Sequence, residues 1–171
     1  MTTFHLRDAR ATDALGGLLS RTQPDRAIVY LHGDLGAGKS TLARAWLREL
    51  GVTGAIRSPT YTLVEHYPLD GDRMALHLDL YRIGAPGELE FLALDDANAS
   101  LWLVEWPERG GHALPEADLH VFLELAGEGR QAELREGSPV GAAWLERVEE
   151  NGVCEPFLPP DDRNTPQPTD K

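Results

Sequence analysis

The stretch Gly33-Asp34-Leu35-Gly36-Ala37-Gly38-Lys39-Ser40 has the spacing G-x-x-x-x-G-K-[ST] of a phosphate-binding loop. The residue types explain what such a loop would do. Small residues let backbone N–H groups turn inward around phosphate oxygens, and a helix that follows aims its positive end at the anion. Lys39 would reach the β- and γ-phosphates, Ser40 would place its hydroxyl on Mg2+, and Thr41 would reach the α-phosphate. The chain has fourteen arginines and two lysines, Lys39 and Lys171, so one of its two lysines stands in this loop.

A metal-bound nucleotide also needs a carboxylate at the end of a nearby strand. Asp79 follows Leu76-His77-Leu78, and Glu105 follows Leu101-Trp102-Leu103-Val104. Glu105 ends the more apolar run and is the better metal-side acid, while Asp79 would orient the attacking water or sense the γ-phosphate. A solvated acid at a strand end is the plain alternative for each. Trp106 reads either as a neighbour of the nucleotide or as a core tryptophan. Ser58-Pro59-Thr60 is by itself a turn, but it stands where many such folds keep a loop that responds to the γ-phosphate. The six histidines include no metal-like close pair, and no catalytic role is assigned to them.

These residues need elements to hold them. Ala27-Ile28-Val29-Tyr30-Leu31 reads as a buried strand running straight into the glycine loop. Leu42, Ala43, Trp46, Leu47 and Leu50 mark an amphipathic helix after it, closed by Gly51. Upstream, Phe4 and Leu6 alternate as a strand would, and Asp8 caps a helix through Leu15, Leu18 and Leu19. Downstream, a strand is expected over Tyr61 to Tyr67, turning at Asp70-Gly71 into a second over Met74 to Leu80. Pro86 opens a short helix, Leu101 to Val104 forms a buried strand, and Leu119 to Leu125 pairs with Gln131 to Arg135 as a hairpin. Trp144, Leu145 and Val148 mark a last helix. Crossover units imply parallel pairing and hairpins imply antiparallel pairing, so the expected fold is a three-layer α/β P-loop NTPase domain with a mixed central sheet. That domain spans 1–150, and 151–171 reads as a Pro-rich, disordered tail.

Composition narrows the partners. The 171 residues carry a formal charge of −12, and no basic run interrupts that field, which disfavours autonomous nucleic-acid binding. One cysteine, Cys154, excludes an intramolecular disulfide framework. The start of the chain has no apolar targeting core, and no uncharged apolar run approaches the roughly 18 residues of a membrane span, so a cytoplasmic location with no membrane partner is expected. The absence of an Asn-Lys-x-Asp guanine reader makes ATP/ADP the expected nucleotide.

Several stretches together resemble one family, the bacterial TsaE (YjeE) ATPases of tRNA threonylcarbamoyladenosine biosynthesis. They are Gly33 to Thr41, Ser58-Pro59-Thr60-Tyr61-Thr62-Leu63-Val64-Glu65, His77-Leu78-Asp79-Leu80-Tyr81-Arg82, Glu88-Leu89-Glu90-Phe91 and Leu103-Val104-Glu105-Trp106-Pro107. The resemblance implies Lys39 as the phosphate lysine, Ser40 and Glu105 as Mg2+ ligands, and Asp79 as the acid needed for hydrolysis. It implies nucleotide contacts from Asp34, Leu35, Gly36, Ala37, Gly38, Thr41 and Trp106, and more weakly from Asp8 and Arg130. The family more often has Thr where this chain has Ser40. By resemblance the chain hydrolyses ATP as a helper of the TsaB and TsaD proteins, meeting tRNA only through their complex. A P-loop small-molecule kinase is the alternative, because the fold alone does not fix the phosphate acceptor. A nucleotide-gated binding module, in which nucleotide state rather than turnover selects the partner, is a third reading.

Overall fold

The computed structural model describes residues 1–92, 94 and 98–152. The Pro-rich segment assigned to 151–171 therefore falls, beyond its first two residues, outside the described residues. In chain order the elements are β1 (Thr2–Leu6), α1 (Ala9–Thr22), β2 (Ala27–His32), α2 (Lys39–Glu49), β3 (Val64–Pro68), β4 (Met74–Asp79), β5 (Leu101–Glu105), β6 (Leu119–Ala126), β7 (Gly129–Glu136) and α3 (Pro139–Asn151).

Local chemistry sets most of these boundaries. The Asp8 carboxylate accepts the Ala11 N–H at 3.0 Å and caps α1. Ser138 does the same for α3 through Gly141 N–H at 3.1 Å, with Pro139 in the first turn, where a missing N–H costs nothing. The chain leaves α2 through Gly51, whose φ of 94° a side chain would oppose. Gly71 and Gly127, also at positive φ, sit in the turns joining β3 to β4 and β6 to β7.

The strands form one seven-stranded sheet in the order β1-β7-β6-β2-β5-β4-β3. Its centre is parallel, with β2 paired to β5 and β6, and β4 to β5. The flanks are antiparallel, with β3 on β4, β7 on β6 and β1 on β7. This is the mixed sheet that crossovers and hairpins together require. The first face packs Val29, Leu31, Leu103, Val121 and Leu134 against α1, α2 and α3 through Leu15, Leu19, Leu42, Trp46 and Trp144. On the second face Leu76, Leu78, Trp102 and Val104 are covered by Leu80, Ile83, Leu89 and Leu114 from connecting segments. The helix expected from Pro86 is there a 3-10 helix, Pro86–Leu92. Among the described residues, no helix is long and apolar enough to cross a membrane.

One expected boundary shifts. The strand anticipated over Tyr61 to Tyr67 runs instead over Val64–Pro68. Leu63 takes a φ of 66° and donates its N–H to the Pro59 carbonyl at 2.8 Å. The backbone before Val64 is thus a turn, and its last residue, Leu63, ends the pairing with β4 by accepting the Asp79 N–H at 3.0 Å.

Candidate functional site

The parallel strands β2, β4 and β5 end at the same edge of the sheet, in a register that sets Leu31 beside Glu105 and Glu105 beside Asp79. In open α/β sheets, ligands bind beyond the carboxyl ends of the strands. Here that edge carries the glycine loop, which leaves β2 at Gly33 and enters α2 at Lys39. A Cβ at Gly33 would lie 2.5 Å from the Leu123 carbonyl, so only glycine lets the loop start this close to β6. Gly36 and Gly38 take φ of 80° and 106° and have open space where a Cβ would point. At these two glycines no neighbouring atom crowds the loop backbone.

A cavity of ≈ 260 Å³ opens in front of this loop. Leu35, Gly36, Gly38, Lys39, Ser40 and Thr41 line one side, and Asp79, Glu105, Trp106 and Arg130 line the other, together with Thr60 and Tyr81. Asp34 and Ala37 turn the opposite way, toward a second cavity of ≈ 400 Å³ shared with His32 and Phe122. Asp8 lines a third, of ≈ 260 Å³, which shares Gly38, Thr41 and Arg130 with the first. Of the thirteen residues given a catalytic, nucleotide or metal role from sequence, ten thus line one cavity, while Asp8, Asp34 and Ala37 adjoin it from behind or beside the loop.

Three charges are buried here. Lys39, Asp79 and Glu105 are only 4%, 5% and 2% exposed, a state that ionisable side chains reach only when paired or bonded. The Lys39 ammonium donates to the loop's own Gly33 and Asp34 carbonyls at 2.5 and 3.0 Å and lies 4.3 Å from the Trp106 ring centre. Burial pulls its pKa below the usual lysine value, and the nearby Glu105 and Asp79 carboxylates push back the other way. Ser40 Oγ sits 2.9 and 3.1 Å from the two Glu105 oxygens. Asp79 is held by a different set: Thr60 Oγ1 donates to Oδ2 at 3.3 Å and the Tyr81 N–H to Oδ1 at 3.0 Å. Ser58 Oγ lies 2.8 Å from Thr60 Oγ1, which ties the Ser58-Pro59-Thr60 turn to the acid.

The two acids therefore have separate surroundings. Glu105 faces the first hydroxyl of α2, where a divalent ion would be shared, and Asp79 faces the Thr60 loop. Ser40 and Glu105 together offer fewer oxygens than the six that octahedral Mg2+ takes, so nucleotide oxygens and water would have to complete its shell. Trp106 is half-buried and packs against the second-face core, at a φ of 56°, an uncommon conformation for a bulky residue. That turn lifts its ring off the end of β5 and over Lys39, with Tyr81 4.9 Å away. Arg130 reaches from β7 to the Gly36 carbonyl at 3.3 Å.

Sequence reasoning passed over His77. Its ring is fully buried, with Nε2 2.6 Å from Glu105 Oε2. The available signal was period-two spacing, since His77 and Asp79 must share a face of β4. Thr60 and Tyr81 were also quoted without a contact to the acid. Behind the loop, His32 and His120 approach to 3.0 Å, and Phe122 stacks on His32 at 4.4 Å. Burial, followed by the His120, Arg135 and Lys39 charges, lowers the His32 pKa to about 4.

Comparison with known proteins adds to this geometry. Residues 6–132 match the family model described as threonylcarbamoyl adenosine biosynthesis protein TsaE. The chain is 47% identical over 120 residues to the tRNA threonylcarbamoyladenosine biosynthesis protein TsaE of Haemophilus influenzae, covering 68% of this chain and 75% of that one. It is 34% identical over 119 residues to the protein of the same name from Bacillus subtilis, covering 68% and 73%. The crystal structure of YdiB from Bacillus subtilis superposes with a TM-score of 0.74 at 24% identity, covering 88% of this chain and 95% of that one, a likeness of fold.

Proposed function

The chain belongs to the TsaE family of threonylcarbamoyl adenosine biosynthesis proteins, and from that premise we propose that it is an Mg2+-dependent ATPase serving that tRNA modification together with TsaB and TsaD. The observation that carries the reading is the convergence of Lys39, Ser40, Asp79 and Glu105 on one cavity at the carboxyl edge of the parallel strands.

Each residue has a defined task. Lys39 exchanges the Gly33 and Asp34 carbonyls for phosphate oxygens, which are stronger acceptors because they carry full charge. The N–H groups from Gly36 to Thr41, at the start of α2, close around the phosphates. Ser40 and Glu105 would hold Mg2+, which would supply neutralisation of phosphate charge. Asp79, steadied by Thr60 and Tyr81, orients a water in line with the γ-phosphorus. That water forms the new P–O bond as the bond to the bridging oxygen breaks, and ADP and phosphate leave. Trp106 shields the lysine from bulk water. The cavity bounded by Asp8, Arg130 and Thr41 adjoins the loop and has room for the nucleoside end of ATP. The net charge of −12 fits a subunit that meets tRNA through its partners.

The test is ATP turnover by the purified chain, alone and with the TsaB–TsaD pair added, beside Lys39→Ala and Asp79→Ala. Slow turnover that rises with the pair and is lost in Lys39→Ala supports the reading. Asp79→Ala is expected to bind ATP within about threefold of wild type and to turn it over about 100-fold or more slowly, the usual range for losing a positioned acid or base. An unchanged rate on adding the pair, with ATP loss that depends on a small-molecule acceptor, would replace the ATPase by a kinase.

A further inference from the structure

Glu105 is a buried carboxylate with a neighbour that the proposed reaction does not use. His77 stands on β4 opposite Leu103 of β5, and Glu105 lies two residues further along, beside Asp79. This diagonal places the imidazole on the same face of the sheet as the acid, one pleat back from the cavity. A carboxylate offers only acceptors, so the proton in the 2.6 Å contact belongs to His77 Nε2. Nδ1 of the same ring is buried with no hydrogen-bond partner among the described residues. Nε2 is therefore the ring atom that holds the acid.

We propose that His77 is a positioning residue for the divalent ion: its Nε2–H fixes Oε2 of Glu105 and leaves Oε1 turned toward Ser40 and the ion. The inference rests on the nucleotide-binding reading above. Ser40 Oγ now donates to both carboxylate oxygens. A cation bound between the Ser40 oxygen and Oε1 would compete with this contact. The His77 bond to Oε2 is made from β4, a different element from the α2 that carries Ser40. Without it, the acid would be free to rotate as the ion arrives, and ordering it would be charged against metal binding. Groups that orient a metal ligand in this way typically change affinity by about 10- to 100-fold when removed.

The substitutions that separate this role from simple space filling are His77→Gln, His77→Asn and His77→Leu. The glutamine amide nitrogen reaches the place of Nε2, the asparagine nitrogen stops near that of Nδ1, and leucine fills the volume with no donor. The probe is Mn2+ with ADP, followed by electron paramagnetic resonance of free Mn2+, alongside ADP affinity in EDTA by calorimetry. His77→Gln is expected to bind Mn2+ within about threefold of wild type, and the Asn and Leu variants about 10- to 100-fold more weakly. ADP affinity in EDTA should stay within about threefold throughout, a split that a general loss of structure would not produce. Wild-type Mn2+ affinity in His77→Leu overturns the inference, and so does a loss in His77→Gln equal to that in His77→Asn. The Gln and Asn pair decides the matter even where the Leu variant does not fold. Failure of the wild type itself to bind Mn2+ with ADP overturns the nucleotide reading along with it.

Discussion

Replacing Ser40 with alanine isolates the contact on which the metal assignment depends. Its hydroxyl bonds both oxygens of a carboxylate that is 2% exposed, at 2.9 and 3.1 Å. Hydrogen bonds to charged groups contribute about 1.5–3 kcal/mol, but water entering the open cavity would recover part, leaving a loss of about 1 kcal/mol in the ligand-free protein. For a chain of this length that lowers Tm by about 2–4 °C. The larger effect is on ligand binding. At a Mg2+·ADP concentration 100 times its Kd, wild type gains about 2.7 kcal/mol of stability, or roughly 5–11 °C. Loss of a metal ligand equivalent to about 2.7 kcal/mol weakens binding about 100-fold. The same concentration then stabilises Ser40→Ala by only about 0.4 kcal/mol, near 1 °C. Thermal melts with ADP in Mg2+ and in EDTA give all four values, and the EDTA shift should match between the proteins. Ser40→Thr keeps the hydroxyl and should keep the full Mg2+-dependent shift. A shift in Ser40→Ala equal to wild type, or a Thr variant as impaired as the Ala one, would refute the placement of the ion between Ser40 and Glu105.

Two further expectations concern the scaffold. Thr22 Oγ1 donates to the Leu18 carbonyl at 2.7 Å and accepts the buried Trp144 indole N–H at 3.0 Å. Thr22→Val keeps the volume but orphans that N–H, and should cost about 1–3 kcal/mol in urea unfolding; an unchanged midpoint would show that the bond contributes nothing. The lowered His32 pKa, about 4 in the fold against about 6.5 unfolded, means that the native state binds fewer protons between those values. Its contribution is therefore complete above about pH 6.5 and is lost as the pH falls toward 4. Discounted for partial exposure, it amounts to on the order of 1 kcal/mol between pH 7 and pH 5. The His120 pKa is lowered as well and adds in the same direction. Urea titrations across that range should give a shallower acid limb for His32→Phe, and an equally steep one would assign the limb to other groups.

The amino-acid sequence alone determined the parts of this protein whose causes are local. A glycine loop between a β-branched run and an amphipathic helix can be recognised because the strand, the positive φ values and the helix start all lie within a few residues of Lys39. The caps at Asp8 and Ser138 are local in the same sense, each satisfying a backbone N–H three residues on, and so are the hairpin glycines, whose positive φ suits the turn they sit in. The pairing of Ser40 with a strand-end acid was legible as a requirement, and the more apolar run pointed to Glu105. Tertiary structure decided what depends on register and strand order. His77 meets Glu105 because β4 lies parallel to β5 in one particular register, and a slip of one residue would turn that ring to the other face. Arg130 reaches Gly36 only because β7 and β6 lie beside β2, an order that no local pattern encodes. Trp106 sits at the margin of the core and over Lys39, with its backbone at positive φ after β5. Such contacts join residues far apart in the chain, and their energy comes from burying faces that the sheet must first bring together.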